Sequence, residues 1–365
     1  MNNKLNIWKI LFLLFLAVAT IYIIRNNNEK QSREKAAKNW QKTDAKGNTY
    51  SSSTIDGNYI CNKGSVFGTY YNIIYRSQND LHEKIRERLQ AVDNSLSPFN
   101  PNSIISAINN NREVTPDKMF MDIFNLAQKI SAETDGAFDI TVAPLVNAWG
   151  FGFKNGTTPD SIKVDSIKRF IGYKSVAHVN GRIVKQHPET MLDCSAIAKG
   201  YGSDVAAALL KEHGVSDFMV EIGGEVCSSG LNNKGKKWRI GINKPIDDPA
   251  AINQELYTII ELSGKSIATS GNYRNYREEN GRKIAHTIDP RTGFPANHSL
   301  LSATVIADDC ATADAYATAF MVMGVEEAAK AAEANNSIEC CFIYAGSDGS
   351  LKTQMTTGFA NYIIK

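Results

Sequence analysis

The chain has 365 residues, of which 43% are apolar, which is enough to bury a substantial core and predicts a large globular body. Its 40 basic and 38 acidic residues nearly cancel, and a net charge of +2 gives no global field of the kind that nucleic-acid binding uses. Six cysteines (Cys61, Cys194, Cys227, Cys310, Cys340 and Cys341) form no CxxC pair and match no zinc spacing, so they read as small buried hydrophobes, with adjacent Cys340 and Cys341 facing opposite sides if they lie on a strand.

The chain opens with an almost wholly apolar run at 5–24, with Lys4 and Lys9 at its start and Arg25 at its end, the pattern of an export signal or membrane anchor. Ala17-Val18-Ala19 resembles a signal-peptidase site, but cleavage there would leave the apolar residues 21–24 at the new terminus. An uncleaved anchor over 1–25 is therefore the expectation. Residues 26–57 are polar and read as a linker, with helical propensity over 29–42, and the body is expected to span 58–365.

Within that body, 59–75 alternates around Gly64 and Gly68 as two short strands joined by a turn. Residues 80–94 and 116–133 carry apolar side chains at helical spacing, and further helices are predicted at 197–213 and 312–323. Residues 218–222, 238–242, 256–262, 301–306 and 338–344 read as strands. The fold class is α+β, one large body of mixed strands and helices without regular βαβ alternation.

Several segments carry more glycine, aromatic and charged residues than packing needs. In Val66-Phe67-Gly68-Thr69 a glycine permits close backbone approach beside an aromatic face, although a turn glycine and a core phenylalanine would look the same. Ser97, Asn100, Pro101 and Ser103 form a polar turn that presents Phe99, a candidate stacking platform. The run from Gly136 through Ala137, Phe138 and Asp139 to Gly152 is as fit for a ligand wall as for a buried strand.

In Asp193-Cys194-Ser195-Ala196-Ile197-Ala198-Lys199-Gly200 small residues precede a helix whose first amides face an anion, with Lys199 as a point charge or as a solvated surface residue. Neither a Walker loop nor a GxGxxG fingerprint is present. Glu221-Ile222-Gly223-Gly224-Glu225 and Thr269-Ser270-Gly271-Asn272-Tyr273 follow, and then His286-Thr287-Ile288-Asp289-Pro290-Arg291-Thr292-Gly293. His286 is the strongest general-base candidate, though the same motif has the composition of a tight turn. Asp314 and Thr318 lie four apart, so a helix would put carboxylate and hydroxyl on one face, where a hard cation is held.

In this order the motifs FGT, DNSLSPFNPNS, GAFDITVAPLVNAWGFG, DCSAIAKGYG, EIGGE, TSGNY, HTIDPRTG and ATADAYAT resemble those of the ApbE-type FAD:protein FMN transferases, over about 66–319. Phe67 stands where that family often has methionine, and Glu221 where it more often has aspartate. The resemblance implies an ApbE (T-fold-like) body with FAD in a cleft and Mg2+ at its pyrophosphate. It places FAD contacts on Phe67, Phe99, Ala137, Phe138, Asp139, Asp193, Lys199 and Ile288, and metal ligands on the Ala196 carbonyl, Asp314 and Thr318.

The implied reaction moves FMN from FAD to a threonine or serine hydroxyl of an acceptor flavoprotein, with release of AMP. FAD hydrolysis to FMN and AMP, or tethered flavin carriage without catalysis, are the alternatives. The family's acceptor motif, Ser/Thr-Gly-Ala-Ser/Thr, is absent from this chain, which is therefore expected to be the donor enzyme. Expected acceptors are flavoproteins of membrane respiratory complexes, and the expected location is the bacterial inner membrane, with the catalytic body on the periplasmic side.

Overall fold

A computed structural model describes residues 39–44, 47–56, 58–153, 158–246, 255–272, 276–279 and 282–364. The anchor expected at 1–25, the first part of the linker and Tyr273 lie outside the described residues. Among the described residues no helix is long and apolar enough to cross a membrane.

The strands are β1 (Trp40–Thr43), β2 (Thr49–Asp56), β3 (Tyr59–Val66), β4 (Thr69–Arg76), β5 (Val176–Val179), β6 (Arg182–Lys185), β7 (Phe218–Ile222), β8 (Glu225–Ser229), β9 (Trp238–Asn243), β10 (Leu256–Leu262), β11 (Ser266–Gly271), β12 (Tyr276–Glu279), β13 (Arg282–Ala285), β14 (Leu300–Ala307), β15 (Glu339–Ala345) and β16 (Leu351–Met355). The helices are α1 (His82–Leu96), α2 (Ile104–Asn109), α3 (Lys118–Glu133), α4 (Ala143–Ala148), α5 (Ser161–Lys168), α6 (Ala198–Glu212), α7 (Cys310–Met323) and α8 (Val325–Ala334). The α+β expectation for the body therefore holds.

One ten-stranded sheet, in the order β1-β2-β3-β4-β7-β8-β11-β14-β15-β16, organises the body, and neighbouring strands are antiparallel throughout. Strands β14 and β15 are covered on both faces, which explains their near-continuous burial. Ala303, Val305, Cys340 and Phe342 pack towards α7 and α3, while Ile306, Cys341 and Ile343 pack against Ile242, Ile260 and Leu262 of the β9–β10 hairpin. Cys340 and Cys341 thus face opposite ways, and all six cysteines are buried and free.

Helix α7 is buried almost all round, which its alanines permit, because Ala is the best helix former and the smallest packing unit. It crosses α6 at Gly200, where a Cβ would come within 2.3 Å of the Cys310 carbonyl oxygen. Asp309 caps α7 by accepting from the Thr312 amide at 2.8 Å. A second cap comes from α6: the Asp204 carboxylate accepts from the Cys310 amide at 2.8 Å and from the Ala311 amide at 2.8 Å.

Strands β1 and β2 stand within the stretch read as a polar linker. Trp40, inside the stretch of helical propensity at 29–42, is instead in a strand. These strands are polar because the sheet edge they form is largely solvent-facing, and aromatic contacts to the buried His82 hold them. Trp40 stacks on His82 with centroids 5.1 Å apart and donates through Nε1 to Asp80 at 3.0 Å, while Tyr50 meets His82 edge-on at 5.6 Å. His82 is fully buried, its Nε2 lies 2.6 Å from the Tyr71 hydroxyl, and its Nδ1 has no hydrogen-bond partner.

Burial pushes His82 down to about 4, so the folded protein keeps it neutral. An unfolded chain protonates this side chain near pH 6.5, so between 6.5 and 4 the unfolded state binds the extra proton. The stability His82 contributes is therefore complete above pH 6.5 and is lost as pH falls towards 4, by on the order of 3 kcal/mol. Urea melts of wild type and His82→Gln across that range should show a steeper acid loss in the wild type; parallel curves would contradict it.

Candidate functional site

A cleft of about 1740 Å³ opens on the body, more than a drug-sized ligand needs. Phe67, Phe99, Ala137, Phe138, Asp139, Asp193, Ala196, Lys199, His286, Ile288 and Thr318 line it, and Asp314 lies directly behind Lys199. Residues separated by more than 200 positions in sequence therefore meet at one wall.

Phe67 and Gly68 form the two-residue turn between β3 and β4, with φ of 51° and 73°. Both are left-handed, as the twist of a tight hairpin requires, and for a phenylalanine that conformation is strained. Its ring is placed against α6, where a Cβ on Gly202 would sit 2.5 Å from it, so Gly202 makes room for the ring. Phe99 is 67% exposed at the tip of a turn closed by the Asn100 amide to the Ser97 carbonyl at 3.2 Å and by the Ser103 hydroxyl to the same carbonyl at 2.7 Å. Its ring meets Phe153 edge-on at 6.0 Å.

Asp139 has another task besides lining the cleft. One oxygen accepts from the Thr141 amide and hydroxyl, each at 2.7 Å, and the other from the Tyr173 amide at 2.7 Å. Burial raises its pKa and these bonds oppose the shift. The carboxylate thus fastens the 137–142 loop to the turn at Tyr173. Asp193 joins the same loop through its amide, which donates to the Ile140 carbonyl at 2.7 Å, and its carboxylate shapes the turn into α6 by accepting from the Ser195 amide at 2.8 Å.

Helix α6 begins without a side-chain cap. One of its first amides, that of Gly200, instead donates to Asp314 Oδ2 at 3.0 Å, so the positive end of α6 supports a buried carboxylate on α7. Lys199 is no solvated surface lysine: its Nζ lies 3.5 Å from Asp314 Oδ1 and 3.4 Å from Glu225 Oε1. Burial alone would lower its pKa, but Asp314 and Glu225 outweigh that and raise it. Burial raises both carboxylates, against the pull of Lys199. Glu225 is 4% exposed, and its Oε2 has no hydrogen-bond partner.

The sequence offers Glu225 only as part of the Glu221–Glu225 motif, with no role of its own. Its apolar followers (Val226 and Cys227, both buried) were the available signal that a strand starts there. Glu221 sits apart, taking the Tyr70 hydroxyl at 3.0 Å.

Thr318 stands one turn beyond Asp314, and its Oγ1 is 3.3 Å from the Ser270 hydroxyl of β11. Among the described residues no cluster of three or more His, Cys, Asp or Glu side chains is arranged for a metal. A cation here would therefore need mixed oxygen ligands, and Asp314, Thr318 and the Ala196 carbonyl are of the hard type that suits Mg2+. The buried charges also fit, since one ammonium faces two carboxylates and one carboxylate oxygen is unpartnered.

His286 leads into a rigid turn. The Gly293 amide donates to the Asp289 carbonyl at 2.8 Å, the Asp289 carboxylate accepts from Arg291 Nε at 3.1 Å, and Trp149 Nε1 donates to the Gly293 carbonyl at 2.9 Å. The turn composition of this motif is thus real, and it holds His286 and the buried Ile288 at the cleft.

The ApbE family model matches residues 67–342. A protein of Escherichia coli (strain K12) named FAD:protein FMN transferase is 33% identical over 316 residues, which cover 83% of this chain and 88% of that protein. One of the same name from Vibrio cholerae serotype O1 is 36% identical over 313 residues, covering 83% and 92%. The solved structure of the flavin transferase ApbE from Vibrio cholerae superposes with a TM-score of 0.75 at 35% identity, over 83% of this chain and 99% of that one. With most of its cleft and core inside the matched span, the chain belongs to the ApbE family and is a transferase.

Proposed function

We propose that this chain is a Mg2+-dependent FAD:protein FMN transferase, which moves FMN from FAD to a threonine or serine hydroxyl of an acceptor flavoprotein and releases AMP. The observation that carries this reading is the Lys199–Asp314–Glu225 cluster, with both carboxylates buried, in the wall of a cleft that also holds His286 and the exposed Phe99.

Such an arrangement suits phosphoryl-type transfer, where positioning and charge stabilisation supply most of the rate. Phe99 and Phe67 offer faces to the flavin, and Lys199 directs its ammonium at the phosphates. His286 takes the proton of the attacking hydroxyl. The new bond joins the acceptor oxygen to the FMN phosphorus, and the bond that breaks is that phosphorus to the bridging oxygen, which leaves on AMP. Magnesium, held by Asp314, Thr318 and the Ala196 carbonyl, would supply charge neutralisation at the pyrophosphate. Residues 1–25 would tether the enzyme to the inner membrane, with its cleft facing periplasmic acceptors among membrane respiratory complexes.

Incubation with FAD, Mg2+ and a candidate acceptor should add the mass of FMN to the acceptor at its Ser/Thr-Gly-Ala-Ser/Thr motif. AMP formation with no mass gain would mean hydrolysis instead, and binding without AMP would mean a carrier. Asp314→Ala should lower Mg2+-dependent transfer by roughly 10²-fold or more, and full activity would refute the metal assignment. His286→Ala should keep FAD affinity while transfer slows by roughly 10²–10⁴-fold, so an unchanged rate would return the histidine to a structural role.

A further inference from the structure

Lys199 and Glu225 make a pair that the transfer chemistry above does not fully use. A lysine ammonium has three donors, and charge-assisted bonds to carboxylates normally close to about 2.7–2.9 Å. Here the ammonium lies 3.4 Å from Glu225 Oε1 and 3.5 Å from Asp314 Oδ1, shared between two carboxylates rather than committed to either. Asp314 is already half satisfied by the Gly200 amide at 3.0 Å. Glu225 is not: its Oε2 is buried without a partner, beside Gly223, where an added Cβ would come within 3.4 Å of it. A buried, unpartnered carboxylate oxygen is costly, and it persists where a further charge or donor completes it.

We propose that Lys199 is an internal placeholder for the divalent cation, and that Glu225 is the positioning residue that takes over its ammonium when the cation claims Asp314. The proposal rests on the transferase reading for its metal and nucleotide. Without the cation, Lys199 is the counter-ion of Asp314. With the cation on Asp314, repulsion moves the ammonium off that carboxylate, and the spare oxygen of Glu225 holds it at the cleft wall, facing the nucleotide phosphates. Cation and FAD then tighten each other's binding, and linkage makes the two factors equal.

Isothermal titration of Mg2+ into the full chain, with and without FAD and with no acceptor present, reads this without any transfer step. In the wild type FAD should tighten Mg2+ by at least about fivefold, and Mg2+ should tighten FAD by the same factor. Lys199→Met removes the placeholder and should tighten Mg2+ in the absence of FAD. Glu225→Gln leaves the ammonium to Asp314 alone; it should weaken Mg2+ without FAD and lower the coupling factor below the wild-type value, leaving the share that comes from Mg2+ at the pyrophosphate. These opposite signs separate the proposal from a merely structural cluster. If Lys199→Met does not fold, as melting will show, the isosteric Glu225→Gln decides alone. A folded Glu225→Gln with wild-type affinities and coupling would overturn the proposal and leave the transferase reading standing, whereas a wild type that binds both ligands without coupling would overturn both the proposal and the placing of Mg2+ at the pyrophosphate. A wild type that binds neither FAD nor Mg2+ would overturn both.

Discussion

The close crossing of α6 and α7 is the contact on which the rest of this structure depends. Gly200 lets the two backbones meet at the Cys310 carbonyl, and three polar links then lock the pair: Asp204 to the first amides of α7, the Gly200 amide to Asp314, and Lys199 to Asp314. Each link joins a charge to a helix end or to an opposite charge, so the crossing puts the ionic groups in the wall as it packs the core. A side chain at Gly200 would push α7 away and carry both Asp314 and Thr318 with it.

The sheet supplies the second half of the site. Strands β8 and β11 run side by side in it, and they bring Glu225 and Ser270 to the helices that carry Lys199 and Thr318. Because central strands are covered on both faces, their positions are fixed from two sides, by α7 and α3 on one and by the β9–β10 hairpin on the other. The more exposed parts of the site, Phe99 and the turn at Phe67, are set at loop tips, where an aromatic face can meet a ligand.

Much of this was legible in the sequence, and the exceptions have physical causes. Amphipathic spacing located α1, α3 and α6 to within a few residues, and apolar strand runs located β7, β10 and β14. Helix α7 starts earlier than expected because Asp309 caps it. The strands at 40–56 were missed because an edge strand held by Trp40 and Tyr50 looks polar along its length. β8 and β11 were not predicted as strands, because polar and glycine residues interrupt their apolar pattern; β8 starts and β11 ends at the cleft.

Spacing placed Asp314 and Thr318 on one helical face, where they are found, but no periodicity foretold that Lys199 would lie between two buried carboxylates. That arrangement depends on long-range packing between residues up to 115 positions apart. The double role of Asp139 was hidden for the same reason, since its partner Tyr173 lies 34 residues away.

The most direct test of the account is a crystal structure of the chain with FAD and Mg2+ bound. It should show the ion on Asp314 and Thr318, the flavin against Phe99, the pyrophosphate within reach of Lys199, and the ammonium moved from Asp314 to Glu225. A nucleotide bound elsewhere, or bound in the cleft with the Lys199–Asp314 contact intact and no metal beside Thr318, would contradict it.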